Sequence, residues 1–130
     1  MTILPHRRGR DRGQAAIEYL GFLPILLLVG LAGLQLGIVA YAAQQAGTAA
    51  RAAARAASSD DESGPSPEAA AHAAVSGWVA KRSTVTSGGG DGAAVYTVSV
   101  TIPSVVPFWD GFGSVTKTAT MPLPDEEDLP

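Results

Sequence analysis

Residues 10–37 read RDRGQAAIEYLGFLPILLLVGLAGLQLG, and how this stretch is read decides the fold. It passes from arginine-rich to wholly apolar within ten residues. Between Arg12 and Arg51 the only charged side chain is Glu18. From Tyr19 to Ala43 the sequence is nearly unbroken apolar, with Gln35 the single strongly polar member. At 1.5 Å rise per residue such a helix spans roughly 35–38 Å, enough to cross a hydrocarbon core of about 30 Å. It is apolar on every side, so lipid costs it no polar face. Pro24 falls within the first two turns of the run. It removes one backbone hydrogen bond and is expected to bend the helix slightly, as membrane helices tolerate.

Outward from this run the chain of 130 residues divides into further zones. Residues 1–13 are a basic leader, with Arg7, Arg8, Arg10 and Arg12 against Asp11. Residues 14–57 read as one transmembrane and stalk helix. Its distal part, AAQQAGTAARAAARAAS, is dominated by alanine, the strongest helix former. Arg51 and Arg55, four apart, share one face of it. That part reads as a stalk, or as a surface that packs on neighbouring copies. Residues 58–67, SSDDESGPSP, end the helix and form a polar linker.

Residues 68–121 read as a small external α+β region. PEAAAHAAVSGWVAKR allows a helix from Pro67 to Lys81, with proline in its first turn. STVTS and AAVYTVSVTI flank GGGDG as a hairpin. Tyr96, Val98, Val100 and Ile102 alternate with Thr97, Ser99 and Thr101, the period of a half-buried strand. SVTKTATM is a third strand. The fold class is therefore α+β: a long N-terminal helix, a small helix and a short antiparallel sheet. The core such a region could bury is small, and a free domain of this size would be marginal. A partner surface or the stalk helix is needed to complete it. Residues 122–130 read as a disordered acidic tail closing with Asp125-Glu126-Glu127-Asp128.

Charge sets the orientation. Four arginines precede the span, whereas Arg51 and Arg55 follow it and are offset by Asp60, Asp61 and Glu62. The positive-inside rule then places the N-terminus in the cytoplasm and the C-terminus outside. The same arginines are explained by membrane orientation without nucleic acid, and no nucleic-acid partner is expected. The absence of cysteine excludes disulfides, thiolate metal sites and lipid-modified cysteine, and the absence of asparagine excludes Asn-linked glycosylation. Heavy use of Ala, Gly and Arg with little Lys is what a GC-rich bacterial coding bias would give.

Nothing in the chain supports an enzyme. His6 and His72 are isolated, with no second ligand at metal-binding spacing. SGGGDG lacks the Gly-Lys-Ser/Thr and the helix of a phosphate loop. The terminal acidic run lacks the spaced ligands and glycine of a calcium loop. Trp78, Phe108 and Trp109 read as packing or membrane-interface residues. No cofactor is expected.

The remaining signal is Gly13, then Gln14-Ala15-Ala16-Ile17, then Glu18-Tyr19 and the apolar run. A carboxylate in a dry helical bundle costs a few kcal/mol and seeks a partner. GQAAIEY with the following run resembles the type IVb (Flp/Tad) prepilin signal. More broadly, residues 13–55 resemble the TadE-like family of pseudopilins. They share the Glu18-Tyr19 pair, Pro24 early in the span, and the Ala-Arg repeats around Arg51 and Arg55. Family members often carry Phe after the Glu and a second acid in mid-span, where this chain has Tyr19 and, nearby, Gln35. The resemblance implies cleavage between Gly13 and Gln14 by an aspartic-type prepilin peptidase on the cytoplasmic side. It implies a minor pilin or pseudopilin partnered by other subunits and Tad-type assembly machinery, held in the bacterial cytoplasmic membrane and able to enter a pilus. The amine released by the cut is a cation that Glu18 could meet, in its own subunit or a neighbouring one. Gly33 and Gly37, a small-xxx-small pair, would allow close helix approach.

Two other readings compete. AYA at 40–42 fits a secretory cleavage site after Ala42, and Arg7-Arg8 fits a twin-arginine leader. Against this, the apolar run is longer than a signal peptide's and Glu18 sits badly in one. A plain single-pass anchor carrying a small binding module would show no processing at all.

Overall fold

The computed structural model describes residues 8–124. One helix, α1 (Arg8–Ser58), is followed by α2 (Pro67–Ala73), α3 (Gly77–Lys81), β1 (Ser83–Gly88), β2 (Ala93–Thr101) and β3 (Ser114–Pro122). The strands form one antiparallel sheet in the order β1-β2-β3. This is the α+β architecture expected from the sequence, with three differences in its boundaries.

First, the helix begins at Arg8, so the end of the basic leader and Gly13 are continuous with the span. Pro24 lies inside α1, which remains helical on both sides of it. Second, the helix expected over Pro67–Lys81 is broken in two. Ser66 caps α2 by accepting from the Ala69 N–H at 3.2 Å, with Pro67 in the first turn. At its end Ala74 N–H is shared between the Ala70 and Ala71 carbonyls, and the chain turns. The Ser76 N–H then donates to Gln45 Oε1 on α1 at 3.1 Å, which fixes the start of α3. Val75, in the turn, and Val79 of α3 both pack into the core. Third, Pro122 closes β3 and the Leu123 N–H donates to the Gly92 carbonyl at 2.9 Å, so the tail expected from residue 122 starts later. Residues 125–130 lie outside the described chain, as do residues 1–7.

The core is built between the second half of α1 and the inner face of the sheet. Ala42, Ala46, Ala49, Ala50 and Ala53 are buried on one stripe of α1. Their spacing follows the helical repeat, so all project to one side. They meet Val98 and Val100 of β2 and Val79 of α3, with Ala71 of α2 closing the edge. Alanine lets helix and sheet approach closely, while the valines supply most of the apolar volume. The Ala-rich stretch expected to be a stalk is thus one wall of the external region. The small sheet needs it, because its other face is a hydroxyl ladder: Thr97 and Thr118 are hydrogen-bonded at 2.9 Å, and Thr116 donates to Ser99 at 3.2 Å.

The β1–β2 turn uses glycine where it must. Gly89 and Gly92 have φ of +152° and +83°, and a Cβ on Gly89 would meet the Ala93 carbonyl at 2.9 Å. The β2–β3 connection is longer, from Ile102 to Gly113. At its tip Phe108 has φ +67°, unusual for a bulky residue. Ser104 helps to hold this turn, its hydroxyl donating to the Val106 and Trp109 carbonyls.

Candidate assembly surface of the long helix

α1 divides into two halves with different surroundings. Over the window that qualifies it as a membrane span, only 6% of residues are buried by the rest of the chain. Tyr19, Leu20, Phe22, Ile25, Leu27, Leu28 and Val29 are all exposed. Over the 47 residues Arg12–Ser58 the helix therefore has the length and hydropathy to cross a membrane and, among the described residues, no protein cover over its apolar part. A soluble core helix would be largely buried, which is the alternative this exposure argues against.

Gly13, Gln14, Glu18 and Tyr19 occupy the first turns of this bare half, and all four are exposed. They form a linear motif on one helix, with no other element among the described residues folded over them. A Cβ added to Gly13 would meet nothing within 4 Å, so the glycine is not required by packing inside the subunit. Glycine does weaken a helix interior, by about 1 kcal/mol relative to alanine. The Gly13–Gln14 bond therefore lies in a helical segment that is locally easy to open.

Gly33 and Gly37 are likewise exposed, with open space around the position of a Cβ. They are one turn apart and share a side of α1. Gln35, between them, points some 200° away at 100° per residue. The small-residue face and the Gln35 face are therefore on opposite sides of the helix. Arg51 and Arg55 are exposed on the side of α1 away from the alanine stripe. Arg51 folds back over Gly47 and lines an open groove with Gln44, Thr48 and Lys117 of β3. The two arginines lie some 50 Å along the helix from Glu18, too far to act on it within one subunit.

Three residues with structural roles were not singled out as sites from sequence. Gln35 is 3% exposed and makes two hydrogen bonds through its amide. Its Nε2 donates to the Pro103 carbonyl at 3.0 Å, and its Oε1 accepts from the Val105 N–H at 2.9 Å. Gln45 takes the Ser76 N–H as described. Tyr41 stacks on Trp78 with ring centroids 5.9 Å apart, and its hydroxyl donates to Ser76 Oγ at 3.4 Å. The signal for Gln35 was present: a lone amide in an apolar run has to be satisfied by something.

Among the described residues no cluster of three His, Cys, Asp or Glu side chains could hold a metal ion. His72 has a buried Nε2 with no hydrogen-bond partner among the described residues. In the linker, the Asp61 carboxylate accepts from both the hydroxyl and the N–H of Ser63, which lowers its pKa below the ordinary value. These are local structural features, and neither gathers the residues of a reaction. What the chain does present is a bare helical surface headed by a glycine and a carboxylate.

No curated protein and no solved structure matches the chain. Residues 13–55, which take in Gly13, Glu18, the whole apolar run and both arginines of the helix's distal half, match the family model of TadE-like proteins, the family their sequence resembles.

Proposed function

We propose that the protein is a minor pilin or pseudopilin of a Tad-type (Flp, type IVb) pilus or related secretion apparatus: a structural subunit, not an enzyme. One observation carries the reading. A helix that opens with Gly13-x4-Glu18-Tyr19 stays bare through its apolar half and then becomes a wall of a small folded head. Such a subunit can be held by lipid before assembly and by neighbouring helices after it, with no refolding of the head.

In this reading the basic leader stays in the cytoplasm and the head lies outside the bacterial cytoplasmic membrane. A prepilin peptidase cuts between Gly13 and Gln14, where glycine eases unwinding of the helix. The new amine is the cation that Glu18 meets when the helix enters a dry bundle, in its own subunit or an adjacent one. Gly33 and Gly37 provide the side on which another helix comes close. Arg51 and Arg55, exposed above the membrane, face neighbouring subunits of the assembly. The partners are the membrane, the peptidase, other pilin subunits and the Tad-type assembly machinery.

The secreted reading has a structural difficulty. Ala42 is a core residue, and a cut after it would remove Gln35 and Tyr41 together with their contacts to the head. The unprocessed-anchor reading is separated from the pilin reading most directly by mass. The test is the mature protein's mass in cells that contain and lack the peptidase. Loss of residues 1–13 that depends on the peptidase is expected, and an unprocessed chain in both would overturn the proposal. Glu18→Ala separates the two roles of the acid: processing without assembly is expected, and unchanged assembly would remove Glu18 from the mechanism.

A further inference from the structure

The segment 103–113, PSVVPFWDGFG, joins β2 to β3 and carries one charged residue, Asp110. It displays Phe108 fully exposed and Trp109 more than half exposed. Val105, Val106 and Phe112 are half-buried beside them, and the Trp109 and Phe112 rings meet at 6.4 Å. So concentrated an apolar display on a short connection calls for a covering surface.

Its position along α1 identifies the surface. Gln35 pins the segment at both the Pro103 carbonyl and the Val105 N–H. Gln35 lies seventeen residues beyond Glu18, or about 25 Å along the helix, against a hydrocarbon thickness of about 30 Å. The pinning point is therefore close to the outer boundary of the hydrocarbon, not above it in water. Both polar ends of the Gln35 amide are satisfied by backbone at the depth where lipid could not satisfy them. Six residues further, at about 34 Å, Tyr41 stacks on the half-exposed Trp78. The Tyr41–Trp78 pair thus falls at the level where amphipathic rings collect at membrane–water boundaries, and the segment that carries Trp109 is pinned just inside that level.

We propose that segment 103–113 is a membrane-inserting loop, with Phe108 and Trp109 seated in the outer lipid boundary beside the span. The loop makes a second contact between head and bilayer and restricts the head's tilt and rotation about α1. The occupant is lipid, because Gln35 fixes the segment to α1 at the outer end of its bare apolar half. The inference rests on the proposed membrane orientation of α1.

The test uses the full chain reconstituted in phosphatidylcholine vesicles. Trp78→Phe keeps an aromatic ring on Tyr41 and leaves Trp109 as the sole tryptophan of the two in the chain. Lipids brominated near the acyl carbonyl should lower its emission about twofold, lipids brominated at the chain ends should lower it less, and aqueous iodide should have little effect. A second variant, Leu26→Trp in the Trp78→Phe/Trp109→Phe background, reports on the span through the deeply brominated lipid. Leu26→Trp quenched with Trp109 open to iodide overturns the loop and leaves the span standing. Trp109 shielded from both quenchers also overturns it, since protein would then be the cover. Neither tryptophan quenched by lipid overturns the span and the loop together.

Discussion

The two halves of α1 share one backbone and place their side chains by opposite rules. Before Gln35 the helix bears leucine, isoleucine, phenylalanine and valine, almost all exposed. After it the helix buries alanines against a sheet. In a protein surrounded only by water the large apolar side chains would take the buried positions. Their reversal along a single helix shows that the surroundings change along it. The first half is made for a medium that accepts large apolar groups from every side. The second is made for close contact with one small partner, where alanine brings the backbones together and larger groups would hold them apart. Gln35 stands at the boundary and joins the halves.

The largest effect should come from placing the same charge in each half. Ala50→Asp puts a carboxylate without a partner into the helix–sheet contact, where such a group costs about 3–5 kcal/mol. A head with so small a core is not expected to survive it. Protease protection of β2 and β3 in the detergent-solubilised full chain should be lost. Leu27→Asp costs about 2.5–3.5 kcal/mol of membrane insertion instead and should leave that protection intact. If Leu27→Asp also opens the head, or Ala50→Asp leaves it closed, the two halves are not the separate environments described.

Much of this division was legible in the sequence. The span could be read from length and hydropathy, the linker from its Ser, Asp, Pro and Gly, and β2 from its alternation. The stretch holding Gly13, Gln14, Glu18 and Tyr19 could be singled out because it is linear, and its role is the part proposed above. The structure adds that these residues are exposed and that no other described element of the chain packs over them. The wall formed by the distal helix was legible only as one of two options, a partner surface or the stalk helix. Gln44, Thr48, Arg51 and Arg55 recur at helical spacing and leave an alanine face opposite, but alanine suits water, lipid or a protein neighbour alike, so nothing in the spacing says that a sheet covers it. The Gln35 clamp was not legible, since its partners are 68 and 70 residues away and are backbone atoms that any side chain could carry. Fixed spacing reveals contacts along one element, and contacts that close a fold across the chain leave no such trace.

A second, smaller effect tests the joint between the halves. Gln35→Leu keeps the apolar volume and removes both hydrogen bonds to the β2–β3 connection. The Pro103 carbonyl and Val105 N–H lose their partner, at a cost of about 1–3 kcal/mol. The sheet does not depend on these bonds, so the loss should be local. Hydrogen exchange should accelerate at Val105 and its neighbours and stay slow at Val98 and Val100. Fast exchange throughout β2 would mean that the joint is part of the core itself.

The smallest effect concerns His72, on α2 against the alanine half. Its Nε2 is buried without a hydrogen-bond partner among the described residues. A desolvated nitrogen in that position opposes folding, and replacing it by carbon of similar shape removes the opposition without opening a cavity. His72→Leu is therefore expected to leave the head as stable as before or to stabilise it by up to about 1 kcal/mol, read as slower hydrogen exchange in β2. The opposite sign would be informative. A loss beyond about 1 kcal/mol means that Nε2 is hydrogen-bonded in the assembled or hydrated protein. The packed half of α1 would then border a polar site, and the contrast between a lipid-facing half and a dry protein-facing half would hold only along the alanine stripe.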